Sequence, residues 1–271
     1  MEEKILILDF GSQYTQLIAR RVRELNIYCE IFPYNKAPKN IENFKGLILS
    51  GSPFSVHDVE APSVNLEEFK NIPILGICYG AQMVAKISGC DVLKSEIREY
   101  GRAKLNYVNN SSLILDGVKS NSDVWMSHGD SIKNNKDVLE VIASTDDVEV
   151  ASYYIKKLNF YGLQFHPEVT HSAEGKKILE NFTVKICGCN KKWTPDKFVE
   201  QTVRELKEKL GKERVILGLS GGVDSSVAAF LIHRAIGKNL FCVFVDNGLL
   251  RKNEFQDVLD LSLIHISEPT R

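Results

Sequence analysis

No stretch of this 271-residue chain is apolar over membrane-spanning length, and the amino terminus lacks the charged-then-apolar layout of a secretory leader. Neither a membrane-spanning helix nor export is expected. An excess of either charge is also missing, with 34 Lys and Arg against 35 Asp and Glu. That balance leaves no basic footprint for nucleic acid, and Lys191-Lys192 is too short to make one. The six cysteines lack the spacing of a disulfide framework, which fits a reducing, cytoplasmic setting. Cys187-Gly188-Cys189 has no second ligand pair at zinc-type spacing, so it reads as a helix end before a linker, and no metal site is expected. Internal repeats and low-complexity segments are absent. At this length the chain suits one complete domain and part of another.

The feature that carries most chemistry is Gly76-Ile77-Cys78-Tyr79-Gly80. Pro73 to Ile77 reads as a buried strand and Ala81 to Ile87 as a helix. Glycines two before and two after a nucleophile-type residue suit a sharp strand–turn–helix elbow, where side-chain bulk is poorly tolerated. The elbow places Cys78 at a helix N-terminus, whose dipole and unpaired N–H groups favour a thiolate. A buried structural cysteine is the competing reading.

A cysteine nucleophile needs a base within hydrogen-bond reach, and that base needs a group to orient it. Gln164-Phe165-His166-Pro167-Glu168 supplies both, just past an expected strand over Leu158 to Phe165. Alternation about the fixed proline lets His166 and Glu168 project the same way. Together the two motifs resemble the class I glutamine amidotransferases, and the resemblance implies a triad of Cys78, His166 and Glu168. It also implies an oxyanion hole after the strand Leu47-Ile48-Leu49, where the family usually reads Ser-Gly-Gly-Pro and this chain reads Ser50-Gly51-Ser52-Pro53. Carried over, the donors are the N–H groups of Ser52 and Tyr79. Serine at a glycine position keeps the backbone N–H, and a left-handed conformation at Ser52 would cost about 1 kcal/mol. Gln82, one turn past the elbow, matches the family position that contacts the substrate glutamine.

The opening Ile5-Leu6-Ile7-Leu8-Asp9-Phe10-Gly11-Ser12-Gln13-Tyr14 is a buried strand running into a glycine turn and a helix over Thr15 to Leu25, the start of a doubly wound α/β domain. Its wording resembles the glutaminase domains of the GMP synthetase family, as do Trp125-Met126-Ser127-His128-Gly129-Asp130 and Glu168-Val169-Thr170-His171. The resemblance places His128 and His171 on a face toward a partner domain. The expected fold is a flavodoxin-like, doubly wound, mostly parallel sheet over residues 1–190, then an incomplete Rossmann-like domain over 191–260.

That second domain starts with a helix capped by Thr194, with Pro195 at its first position and Asp196 in its first turn, running to about Leu210. A strand over Arg214 to Leu219 leads into Ser220-Gly221-Gly222-Val223-Asp224-Ser225-Ser226, and a helix over Val227 to Ile236 follows. A glycine-rich turn between strand and helix offers converging N–H groups to a phosphate, and without Gly-Lys-Ser/Thr it is not a Walker A loop. The string resembles the pyrophosphate loop of the N-type ATP pyrophosphatases, which implies ATP with Mg2+ as substrate. Asp246, ending the strand Leu240 to Val245, is a candidate nucleotide or magnesium contact, with a turn-capping role as the alternative.

The resemblance implies hydrolysis of glutamine without a cofactor. In a full synthetase ATP and XMP follow as substrates, with ammonia passing to adenylated XMP. It also implies a homodimer, through a dimerisation domain absent here. Residues 261–271 do not read like the family's continuation, so a truncated frame with a non-native tail is expected. Two strands alone would leave an apolar sheet face uncovered. Two alternatives stay open: the glutaminase of another amidotransferase, such as those making anthranilate or CTP, and an inactive fragment that only binds nucleotide or partner chains.

Overall fold

The structure, a computed structural model, describes residues 3–245 together with 253 and 256, and the backbone alone for 95–99. It divides into two compact units, Met1–Trp193 and Thr194–Arg271. The first contains β1 (Lys4–Asp9), α1 (Thr15–Glu24), β2 (Tyr28–Pro33), β3 (Phe44–Leu49), β4 (Ile74–Ile77), α2 (Tyr79–Ile87), β5 (Val92–Lys104), β6 (Tyr107–Val108), β7 (Asp123–Ile132), β8 (Glu140–Ser144), β9 (Ser152–Ile155), β10 (Phe160–Leu163) and α3 (Gly175–Glu180). The second contains α4 (Pro195–Leu210), β11 (Val215–Leu219), α5 (Val223–Ile236) and β12 (Leu240–Phe244).

An eight-stranded sheet runs β2-β1-β3-β4-β10-β9-β8-β6. Its first five strands pair in parallel and the last three antiparallel. The parallel part has the flavodoxin-like order, in which ligands bind beyond the carboxyl ends of the strands. Its strands are apolar on both faces because both faces are covered. Ile5, Ile7, Ile48, Leu75 and Ile77 enter one buried cluster, while Leu6, Leu8, Leu47, Leu49 and Ile74 enter the other. The antiparallel pair β5–β7 forms a separate ribbon, which the sequence pattern did not lead us to expect. No helix among the described residues is long and apolar enough to cross a membrane.

Element limits differ from expectation where local chemistry intervenes. The strand expected from Leu158 begins at Phe160, because Lys156–Leu158 form a 3-10 turn closed by Asn159 in the left-handed region at φ 46°. Asparagine tolerates that conformation better than most residues. Helix α4 begins as expected, with Thr194 Oγ1 accepting from the Lys197 N–H.

In the second unit, β11 and β12 pair in parallel. Val215, Leu217, Leu219, Leu240 and Cys242 pack with Ala229, Ile232 and Ile236 on one face. On the other face Ile216, Phe241 and Val243 are exposed.

Candidate active site

Four turns meet beyond the carboxyl ends of β1, β3, β4 and β10. After β1, the Asp9 carboxylate accepts from the Gly11 N–H (2.8 Å) and the Thr15 hydroxyl (2.7 Å), fixing the approach to α1. After β4 the chain turns through Cys78 at φ 51°, ψ −104°, directly into α2. The glycines of this elbow are required by close approach. A Cβ at Gly80 would lie 2.7 Å from Leu49 Cβ and its carbonyl oxygen, and one at Gly76 would lie 2.7 Å from the Ala81 nitrogen. Side chains there would push the cysteine off the sheet.

His166 and Glu168 follow β10. The His166 Nδ1–H donates to Glu168 Oε1 at 2.7 Å, and both side chains are almost wholly buried. The ring of Tyr14 meets the imidazole edge-on at 5.3 Å, and Arg21 Nε donates to the Glu168 carbonyl at 2.9 Å, so α1 flanks the triplet. Burial opposes a charge on His166, but the hydrogen bonds and charges of Cys78 and Glu168 outweigh it and hold the imidazole pKa well above its ordinary value. Cys78 is 6 % exposed, and its thiol donates to the Ser127 carbonyl at 3.6 Å.

Tyr14, Cys78, Ser127 and His166 line one cavity of about 690 Å³, which also reaches Ser52, Tyr79, Gln82 and Asp130. Ser52 does not adopt a left-handed backbone, so that cost does not arise. Its hydroxyl instead donates to the Phe10 carbonyl (2.8 Å) and accepts from the Phe54 N–H (3.2 Å), holding the turn in an ordinary conformation. Gln82 is buried, not on the helix surface, and its Nε2 donates to the Asp130 carbonyl at 2.7 Å. His128 is likewise buried against the cavity, not on an open face, whereas His171 is exposed beside Trp125.

Sequence reasoning gave no role to Ser55, Tyr14, Arg21 or Asp130. A signal for Asp130 existed, since β7 alternates strictly and puts His128 and Asp130 on the buried face with Val124 and Met126.

Burial, with the positive charge of His166 adding to it, lowers the His128 pKa to about 4, against a weaker opposing pull from the Asp130 carbonyl and carboxylate. Between that value and about 6.5 the unfolded chain binds the proton and the folded one does not, so stability rises with pH across this window. Unfolding by denaturant should therefore give about 2 kcal/mol less stability at pH 5 than at pH 7 from this residue. His128→Gln should flatten that difference, and an unchanged slope would mean His128 is not the residue responsible.

In the second unit, Gly222 caps α5, which starts at Val223 and so absorbs the last four residues of the glycine-rich string. The Ser220 N–H donates to Ser225 Oγ (3.2 Å), and Ser225 and Ser226 hydroxyls donate to the Gly222 carbonyl (3.0 Å each). The N–H groups of Val223, Asp224 and Ser225 lie in the first turn, where intrahelical acceptors run out. Exposed donors at the start of a 14-residue helix suit a phosphate anion. Asp246 lies outside the described residues, as does 261–271. No group of three or more His, Cys, Asp or Glu gathers for a metal among the described residues.

Known proteins align with both parts. The family model for class-I glutamine amidotransferases matches residues 6–186, and one for NAD synthase matches 196–262. A glutamine-hydrolysing GMP synthase of Cytophaga hutchinsonii is 60 % identical over 261 residues, which is 96 % of this chain and 51 % of that protein. Another from Christiangramia forsetii is 58 % identical over the same shares. The chain thus spans about half the length of the curated relatives it matches. A crystal structure from Thermoplasma acidophilum, described as that of a GMP synthase component, superposes with a TM-score of 0.62 at 33 % identity, over 69 % of this chain and 95 % of that one. With a family model matched across most of its length and a homologous structure covered almost whole, this chain belongs to the class I glutamine amidotransferases.

Proposed function

We propose that the first unit hydrolyses glutamine to glutamate and ammonia through a thioester on Cys78. The observation carrying this reading is the strained elbow that points Cys78 into the same cavity as a His166 already paired with Glu168. His166 holds the proton of Cys78 as an imidazolium, with Glu168 accepting from its Nδ1–H and stabilising that charge, so the sulfur is a thiolate. The thiolate attacks the side-chain amide carbon, and the N–H groups of Ser52 and Tyr79 receive the oxyanion, each such donor being worth roughly 3 kcal/mol of barrier. Gln82, which lines the cavity, would contact the bound glutamine. As the tetrahedral adduct collapses, His166 gives its proton to the departing ammonia. Water, deprotonated by His166, then cleaves the thioester and releases glutamate.

In a protein of the relatives' full length, the ammonia would aminate XMP to GMP, with ATP carried as its magnesium complex and cleaved to AMP and pyrophosphate. Ser220 to Ser226 would hold the pyrophosphate part of ATP through the open N–H groups at the start of α5. Asp246 would be a further nucleotide or magnesium contact. The relatives' names support a synthetase of GMP biosynthesis, and the reading takes the full-length protein to be a cytoplasmic homodimer.

The test is to supply the purified chain with glutamine, alone and with ATP plus XMP, and measure glutamate. Release is expected. A folded, monodisperse sample that releases none under either condition would overturn the reading.

A further inference from the structure

The segment after the Ser50–Pro53 turn is strapped to α2, which follows the nucleophile, and to the start of β5. His57 Nε2 lies 2.7 Å from the Val92 carbonyl, and Lys86 Nζ donates to the Val56 carbonyl at 2.5 Å. Between these anchors and the turn, Ser55 Oγ donates to Asp130 Oδ2 at 2.6 Å. Both residues line the cavity, so this bond closes one side of the cleft. Asp130 is itself fixed. It is buried, and its carbonyl accepts from Gln82 Nε2 (2.7 Å) and from the His128 Nδ1–H (3.0 Å).

We propose that Ser55 and Asp130 are positioning residues, a latch that sets the Ser52 N–H over the elbow and couples it to the wall formed by Gln82. Ser55 is three residues from Ser52, at the half-buried edge of a strand-free stretch whose neighbours Pro53 and Phe54 are exposed. Its hydroxyl ties that stretch across the cavity, and an oxyanion donor must be held to about 0.5 Å to be effective. A hydroxyl donating to a carboxylate at this length is a charge-assisted bond, stronger than a neutral one. A substrate that pulls Gln82 also pulls, through Asp130, on the turn that receives its oxyanion. The latch rests on the glutaminase reading.

The test compares wild type, Ser55→Ala, Ser55→Thr, Asp130→Asn and the Ser55→Ala/Asp130→Asn double variant. For each, glutaminase kcat and KM, iodoacetamide alkylation of Cys78 and amide exchange over residues 51–55 are measured. Ser55→Ala should lower kcat about 10- to 100-fold with KM within about threefold, since a misplaced oxyanion donor affects the transition state and not glutamine binding. Alkylation, which needs no oxyanion hole, should stay unchanged, exchange should quicken, and Ser55→Thr should restore both kcat and the slower exchange. The double variant should be no worse than Ser55→Ala, because Ser55→Ala already removes the bond that Asp130→Asn weakens. A wild-type kcat in Ser55→Ala, a change confined to KM, or multiplicative losses in the double variant would each overturn the latch. If wild type releases no glutamate, the glutaminase reading fails instead, and exchange decides the latch: faster in Ser55→Ala supports it, and unchanged overturns it.

Discussion

Replacing Cys78 by glycine or by alanine lowers glutamate release by roughly four orders of magnitude or more, as loss of a nucleophile does in enzymes whose catalytic groups act as a unit. The two variants should nevertheless differ in stability, and in an unusual order. At most helix-proximal sites alanine is the more stable by about 0.5–1 kcal/mol, because glycine loses more backbone freedom on folding. Cys78 sits at φ 51°, ψ −104°, outside the regions open to residues with a Cβ. Such a conformation costs about 1–3 kcal/mol, which alanine keeps and glycine relieves. Cys78→Gly should therefore be the more stable of the pair by about 1 kcal/mol, or about 2–4 °C in melting temperature for a chain of this size. Equal or reversed stabilities would mean that the strain at 78 is not there to be relieved. Retained release in either variant would remove Cys78 as the nucleophile.

The elbow could be read from the sequence because every requirement it imposes is local. A buried strand, two glycines at fixed offsets and a helix are all adjacent in the chain. The His166–Glu168 pair was legible for the same reason, since two residues flanking one proline need no tertiary information to meet. The conformation of Ser52 stayed open in the sequence, because the family's glycine reaches backbone conformations that serine reaches only at a cost. In the folded chain its hydroxyl finds the Phe10 carbonyl, 42 residues away, and the turn needs no left-handed residue. The start of α5 was placed four residues late because Val223-Asp224-Ser225-Ser226 reads as turn chemistry, although Asp and Ser are also at home in a first helical turn. The β5–β7 ribbon and the Ser55–Asp130 bond were out of reach. Both depend on pairing across long sequence separations, which no local pattern encodes.

Gly175→Ala should be severely damaging, although Gly175 lies outside every motif and carries no functional group. It is the first residue of α3 and is buried. A Cβ there would overlap the Pro167 carbonyl oxygen and lie 2.8 Å from its carbon and 3.1 Å from its Cα. All three atoms are backbone, so no rotamer change relieves the clash. Pro167 is also hemmed in. His166 N donates to the Trp125 carbonyl (3.0 Å), the Ser172 hydroxyl donates to the His166 carbonyl (2.6 Å), and Arg21 holds the Glu168 carbonyl. To admit one methyl group, either α3 lifts from the sheet or the triplet shifts with Pro167. The first route costs stability, about 3 kcal/mol, as overpacking of a core contact does. The second moves His166 relative to Cys78, and a displacement near 1 Å costs about 100-fold in turnover. Denaturant unfolding and glutamate release at a temperature where the variant remains folded separate the two. Loss of stability with normal turnover would show α3 yielding, and loss of turnover in a stable variant would show the triplet yielding. A variant normal in both would mean that α3 and Pro167 are not in contact.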